Sequence, residues 1–359
     1  MKILIINEHI EDKLGGSEIQ CDLIARQLVK IGHEVYYLAM RGKRKDYQST
    51  LYKIIPVSEV NTKEFYEVID SIKPDVIFWR YYKRKLYQVT KKLKKTGYPL
   101  IFSVSHEVDV RKYRWELLIP KKKFKTYINN SFKFFGNIYQ FRGFYYVAGV
   151  VNQCRSFMGR VGSRKEIYFP NSMNEEEISF NWNRSYCVWV SNLKKRKNPE
   201  EFLYLAEKLI SRDIDFLMVG AIQDNEYSYF KEASNLPENV KYLGPKSIQE
   251  VNGIIKSSML LIHTCSPEGF PNNFIQAWHY GKPVVSLNYD PDNMIESERL
   301  GFFSRSKDQF VRDVEKLIDN KSLREEIKVR AKKISNITFD KHKNIKKLEK
   351  FMLDIIDRN

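Results

Sequence analysis

The sequence predicts an α/β protein built from two doubly wound parallel-sheet domains. Three observations carry that expectation. Short, fully apolar runs alternate with amphipathic stretches along most of the chain. The alternation stops at a polar, proline-containing segment, Phe169 to Glu177, and then starts again. The 359 residues also suffice for two domains of ordinary size. Strands that are apolar on both sides belong in parallel sheets covered on both faces.

In the first half, residues 2–7 read as a short buried strand, and Gly15-Gly16 breaks the loop after it. Ser17-x-x-Gln20 reads as a capping box opening a helix with Ile19, Leu23, Ile24 and Leu28 on one face, ended by Gly32. Strands follow at 35–40, 76–80, 99–105, 145–152 and 166–169, with a helix at 64–72. His106 stands at the carboxyl end of the fourth of these strands, counting from residue 2. The domain boundary is set at 171/172, with a final helix at 341–359 expected to pack back on the first domain.

In the second half, 186–192 reads as a strand, and Asn198-Pro199-Glu200-Glu201 caps a helix to about residue 210. Strands follow at 216–220 and 240–244. Ser247-x-x-Glu250 reads as a second capping box, with its helix running to Lys256. Residues 259–265 form the next strand, and 283–287 another. Beyond Ser306 the chain is helical and highly charged.

The most informative stretch is Ser266-Pro-Glu-Gly-Phe-Pro-Asn-Asn-Phe-Ile-Gln-Ala277. It reads as a strand end, a tight loop and a helix that finishes at Gly281. The first N–H groups of such a helix and its dipole make an anion site. Pro271 suits the first turn, where its missing N–H costs nothing. Glu268 lies in the loop, and Gln276 lies one turn further into the helix. A carboxylate beside a phosphate hole suits a hydroxyl-rich ligand that carries phosphate. Gly15-Gly16-Ser17, His106, Asn192 to Lys197 and Glu268 to Gln276 all fall at strand carboxyl ends, where doubly wound sheets bind ligands.

Charge narrows the partners. The chain carries a formal +17. Between Arg80 and Tyr146 it has 17 Lys/Arg against 3 Asp/Glu, a net +14. Residues 121–146 mix Lys122, Lys123, Lys125, Lys133 and Arg142 with Phe124, Tyr127, Ile128, Phe135, Ile138 and Tyr139 at near-helical spacing. A basic amphipathic helix rich in aromatics suits an anionic membrane surface. The four cysteines have neither C-x-x-C nor metal-ligand spacing and read as reduced, buried thiols. No apolar run reaches the roughly 18 residues of a spanning helix, and the first residues read as a strand rather than a leader. The expected location is cytoplasmic, peripheral on the inner face of the plasma membrane.

Several stretches resemble the retaining glycosyltransferases of family 4. They are Gly15-Gly16-Ser17-Glu18, Val188 to Phe202, Val240-Lys-Tyr-Leu-Gly244, Glu268-Gly-Phe-Pro with Gln276-Ala, and Gly281-Lys-Pro-Val-Val-Ser286. The resemblance implies a GT-B fold, two Rossmann-like domains facing across a cleft. It implies transfer of a sugar from a nucleoside-diphosphate donor to a glycan or lipid-linked glycan. Glu268 would then hold the donor sugar's hydroxyls, His106 would face sugar and acceptor, and Lys197 would stabilise the leaving diphosphate. Gly15, Gly16, Asn192, Gly244, Phe270, Pro271, Asn272, Asn273, Phe274 and Gln276 would form the donor and nucleotide site. Two positions depart from the pattern. Gln276 replaces the second acid, which in the family accepts from the ribose, and Asn192 stands where an arginine is frequent.

No cofactor is expected beyond the donor substrate, and no metal. Two Asp-x-Asp strings, Asp213/Asp215 and Asp290/Asp292, are the pattern that metal-dependent transferases use, but Lys197 and a helix terminus already supply a positive field. Two alternatives stay open. One is a non-catalytic binding protein that keeps the fold. The other is a nucleic-acid-binding protein, motivated by charge and aromatics but lacking a recognition motif.

Overall fold

A computed structural model of the chain describes residues 1–44, 46–48, 51–57, 62–83, 85–120, 124–162, 165–265 and 269–358. The chain divides into two compact units, Met1–Ser172 with Lys341–Asn359, and Met173–Asp340.

The first unit contains β1 (Lys2–Asn7), α1 (Gly16–Lys30), β2 (Glu34–Met40), β3 (Lys53–Val57), α2 (Thr62–Ile72), β4 (Val76–Trp79), α3 (Leu86–Thr96), β5 (Leu100–Val104), α4 (Glu107–Val110), α5 (Phe124–Phe141), β6 (Gly149–Asn152) and β7 (Glu166–Tyr168). Its seven strands are parallel, in the order β3-β2-β1-β4-β5-β6-β7. Order reverses between β1 and β4, whose register pairs Ile3 with Val76 and Ile6 with Trp79. Ile3, Ile5, Tyr37, Phe78 and Ile101 form the core on one face with Cys21, Ile24 and Leu28 of α1.

The second unit contains β8 (Tyr186–Val190), α6 (Pro199–Lys208), β9 (Asp215–Val219), β10 (Val240–Tyr242), α7 (Ile248–Ser257), β11 (Leu261–His263), α8 (Asn272–His279), β12 (Val284–Ser286), α9 (Met294–Ser297), β13 (Gly301–Phe303), α10 (Lys307–Asp319) and α11 (Lys321–Thr338). The last helix, α12 (Lys341–Ile356), belongs to the first unit. There Leu348, Phe351, Met352 and Ile355 join the core, and Glu349 meets His33 at 2.8 Å. The second sheet is also all parallel, in the order β10-β9-β8-β11-β12-β13. Trp189, Phe202, Phe216 and Met218 anchor its core.

Most expected elements appear, with local corrections. The Ser247 box is present, with Ser247 Oγ accepting from Glu250 N–H at 3.2 Å and Glu250 Oε2 accepting from Ser247 N–H at 2.8 Å. The Ser17 box is not: α1 starts two residues earlier than that box requires, with Gly15 as its N-cap. Ser17 Oγ instead accepts from Asn7 Nδ2, and Gln20 exchanges two hydrogen bonds with the Ser172 backbone. Pro271 is the N-cap of α8 rather than its first helical residue. The strand expected from residue 145 begins only at Gly149, after a 3₁₀ turn over Arg142–Tyr145. An apolar run alone does not separate a buried turn from a strand. All four cysteines are buried and unbridged.

Candidate functional site

In the second unit the order reverses between β8 and β11, the position at which doubly wound sheets hold ligands beyond their carboxyl ends. The segments leaving these two strands are tied together by one buried side chain, Thr264. Its Oγ1 accepts from Trp189 Nε1 at 2.9 Å and donates to the Lys197 carbonyl at 2.7 Å. The Thr264 carbonyl accepts from Asn198 Nδ2 and from Asn288 Nδ2, both at 3.0 Å. The loop carrying Lys197 is thereby fixed to the end of β11. Asn198 holds a left-handed backbone, φ +47°, and is followed by Pro199 at the start of α6.

The start of α8 is fixed to the end of β8. Asn273 Nδ2 donates to the Val190 carbonyl at 2.8 Å. This brings the helix N-terminus and the Lys197 loop to the carboxyl end of the sheet, where both favour negative charge. Phe270 and Phe274 are core side chains. Phe270 packs on Trp278 and Phe339, and Phe274 lies edge-on to His263 at 4.7 Å. Only their backbone is left to face a ligand. Asn192 uses its Oδ1 to accept from Ala221 N–H at 3.1 Å, which ties the loop after β8 to the loop after β9. Gly244 accepts from Gly220 N–H at 3.0 Å and has φ +71°. Gln276 is half-buried and donates Nε2 to Asn252 Oδ1 on α7 at 2.7 Å. Glu268, with Ser266 and Pro267, lies outside the described residues.

Three residues of this end carried no sequence expectation: Thr264, Asn252 and Gly220. Their signals were weak. A threonine at a strand end, an asparagine inside a helix and a glycine after an apolar run are each common for other reasons.

Gly15 is extended, φ −155°, so its backbone suits any residue. A Cβ there would lie 2.3 Å from Glu18 Oε2, so a larger residue would have to displace the buried Glu18 carboxylate. Gly16 is the first residue of α1. Burial raises the Glu18 carboxyl above its ordinary range, and Lys13 bridges Glu8 and Glu18. His106 caps α4: its Nδ1 accepts from Val108 N–H at 3.1 Å, while Asp109 Oδ2 accepts from His106 N–H at 3.1 Å. With Nδ1 accepting, the neutral ring carries its proton on Nε2. Nearby, burial lowers the Lys83 ammonium to about 8, partly offset by Asp109.

The carboxylates of the two Asp-x-Asp strings have protein partners. Asp215 accepts from Trp182 Nε1 at 2.7 Å and Arg184 at 2.8 Å, and Asp213 pairs with Arg184. Asp290 caps α9, accepting from Ile295 and Glu296 N–H groups. Among the described residues no group of three or more acidic, histidine or cysteine side chains is arranged to hold a metal ion.

Residues 173–334 match the family model of glycosyl transferases group 1. None of the curated proteins compared is significantly similar in sequence. Among solved structures, the chain resembles sucrose-phosphate synthase from Thermosynechococcus elongatus at a TM-score of 0.78 and 11% identity, covering 100% of both chains. It resembles HepE of Anabaena, solved with UDP and glucose, at 0.70 and 14%, covering 99% of this chain and 100% of that one. It also resembles a TarM variant from S. aureus, solved with fondaparinux, α-GlcNAc-glycerol and UDP, at 0.69 and 10%, covering 99% of each. At these identities the likeness establishes the fold, which is GT-B.

Proposed function

We propose that this chain, which has the GT-B fold and matches the family model of glycosyl transferases group 1 over residues 173–334, is a glycosyltransferase that moves a sugar from a nucleoside-diphosphate donor to a glycan or lipid-linked glycan with retention of configuration. The observation that carries the reading is the carboxyl end of β8 and β11, where Thr264 fixes the Lys197 loop and Asn273 fixes the start of α8. A neighbour of the same fold, HepE, was solved with UDP and glucose, which supports this donor class.

The anomeric C–O bond of the donor breaks, and its electron pair goes to the diphosphate. The acceptor hydroxyl oxygen bonds to the anomeric carbon on the face the diphosphate leaves. Its proton passes to a diphosphate oxygen, so no protein base is named. The Lys197 ammonium and the first N–H groups of α8 stabilise the charge gathering on the leaving group, usually the largest catalytic contribution. This field is supplied without a divalent ion. Glu268 orients the donor sugar's hydroxyls, and His106 offers Nε2–H to sugar or acceptor oxygens. A thermal-shift screen against UDP, GDP and ADP tests the reading. One of them is expected to raise the melting point, because a ligand held only by the native state stabilises it. A chain whose melting is unmoved by all three lacks the site.

The same reading places the protein on an anionic membrane face. No described helix is long and apolar enough to cross a membrane. Helix α5 has two apolar faces. Phe134 and Phe141 are buried, while Ile128, Phe132, Phe135 and Tyr139 form an exposed stripe at i, i+4, i+7 and i+11. Phe132 is 73% and Phe135 64% exposed. Trp115, 63% exposed, packs on Phe134 and stacks on Tyr113. Lys125, Lys133 and Arg142 are exposed nearby, and the helix holds no acid. A second copy of the chain is disfavoured as the cover, because the region's net +14 repels itself. Each basic residue at an anionic surface contributes about 1 kcal/mol. The protein is expected to sediment with anionic but not zwitterionic vesicles, and added salt should weaken the binding. Changing Phe132 and Phe135 together to serine should release it. Equal sedimentation with both vesicle types would refute the placement. Lys122 and Lys123, expected to join the patch, lie outside the described residues.

A further inference from the structure

Asn252, in the second turn of α7, is fully buried. Its Nδ2 donates to two backbone carbonyls, Asn174 at 2.9 Å and Glu176 at 2.6 Å. Carbonyls only accept, so the amide orientation is fixed: the NH₂ group faces the backbone and Oδ1 faces α8. The atom of Gln276 that meets Oδ1 at 2.7 Å is therefore the donor, Nε2. Its other amide atom, Oε1, is the acceptor that remains.

The segment that sets this orientation is itself held against α7. Ile178 N–H donates to the Gln249 carbonyl at 2.9 Å, and Ser257 Oγ donates to the Phe180 carbonyl at 3.0 Å. A Cβ on Gly253 would lie 1.8 Å from the Ile178 carbonyl oxygen, so the close approach needs glycine. Asn252 is thus clamped, and cannot turn its oxygen away without setting it against two carbonyls.

We infer that Asn252 is a positioning residue for donor recognition: it holds the Gln276 carboxamide so that only Oε1 is presented to the nucleotide ribose. The inference rests on the proposed nucleotide site, in which residue 276 accepts from the ribose hydroxyls. Placing the family's acid at 276 would set a carboxylate oxygen against Asn252 Oδ1 with no proton between them. The acid would be pushed away or left unpaired, and an unmatched buried polar contact is costly. The glutamine at 276 is matched to the asparagine at 252.

Calorimetry on the full chain tests this, using whichever of UDP, GDP or ADP binds and its 2′-deoxy and 3′-deoxy forms. The unaltered protein should prefer the ribonucleotide over at least one deoxy form by about tenfold, the effect of one hydrogen bond. Gln276→Glu should bind about ten- to a hundredfold more weakly. Asn252→Ala should lose most of the ribose preference. Asn252→Ala combined with Gln276→Glu should bind better than Gln276→Glu alone, because the opposing oxygen is gone. Ligand-free melting curves separate folding from recognition, and a purely structural pair would move melting without changing the ribose preference. A Gln276→Glu protein that binds as well as or better than the unaltered one overturns the inference and leaves the proposed function standing. So does a double variant no better than the single acid. Absence of binding by the unaltered protein to all three diphosphates removes both.

Discussion

Lys197→Ala is expected to lower kcat about 10²–10³-fold, the usual loss when one preorganised donor to a developing anion is removed. The turn carrying Lys197 is held through its backbone. The Lys197 carbonyl accepts from Thr264 Oγ1, and its N–H donates to the Lys194 carbonyl at 2.8 Å. Truncating the side chain leaves both bonds in place, so the melting point should change little. Two neighbouring cations serve as controls. Lys195 and Arg196 are exposed, whereas Lys197 is half-buried. Lys195→Ala and Arg196→Ala should therefore retain most of the turnover, since exposed charges are screened by water and salt. Donor hydrolysis or transfer, with the sugar nucleotide selected by thermal shift, is the measurement. Full turnover by Lys197→Ala would remove the residue from the mechanism.

Gly220→Ala should cost about 3 kcal/mol or more of stability. Gly220 follows β9 with φ +149°, a region closed to residues with a Cβ. An added Cβ would lie 1.8 Å from the Ser191 carbonyl oxygen and 3.0 Å from the Asn192 nitrogen. Ser191 cannot retreat cheaply. Its N–H donates to the Val219 carbonyl at 2.9 Å, and Leu193 bridges to Ile222 just beyond. Because Ser191 and Asn192 begin the loop that carries Lys197, nucleotide affinity should fall along with stability. Gly244→Ala gives the contrast. Its φ is also positive, +71°, but a Cβ there meets nothing within 4 Å. Its cost should be only about 1 kcal/mol, the backbone penalty alone. Urea melts of the two variants measure the difference. Equal losses would show that the contact with Ser191 does not matter.

The parts of the fold that were legible share a local cause. The Ser247 box was read correctly because cap and partner lie three residues apart, and nothing distant competes. The Ser17 box failed because a distant group did compete: Asn7 at the end of β1 takes the hydroxyl. Strand β3 escaped notice because Pro56 argues against a strand, yet among the described residues β3 pairs with β2 alone and lies at the sheet edge, where proline is tolerated. Strand β13 is three residues long, starts at a glycine and is also an edge. Helix α3 was read only as a run of charge, although Leu86, Val89 and Leu93 give it a buried face.

The site divides in the same way. The apolar run, the Gly-Phe-Pro-Asn-Asn turn and the amphipathic helix of α8 identified an anion-binding terminus from neighbouring residues alone, since dipole and first-turn N–H groups belong to any helix start. His106 was placed at its strand end, but its capping bond depends on Asp109, three residues on, and was not foreseen.

Chain order by itself determined two α/β units, a phosphate-favouring helix start and a strongly basic first half, because periodicity, turn chemistry and charge are written in adjacent residues. Tertiary structure alone decided that β8 and β11 are neighbours, that Thr264 fastens Lys197, and that Asn252 orients Gln276. The two side-chain bonds join residues 67 and 24 positions apart. A hydrogen bond is made only where two groups arrive in contact at the right angle, and for groups that far apart the packing of the whole unit sets the geometry.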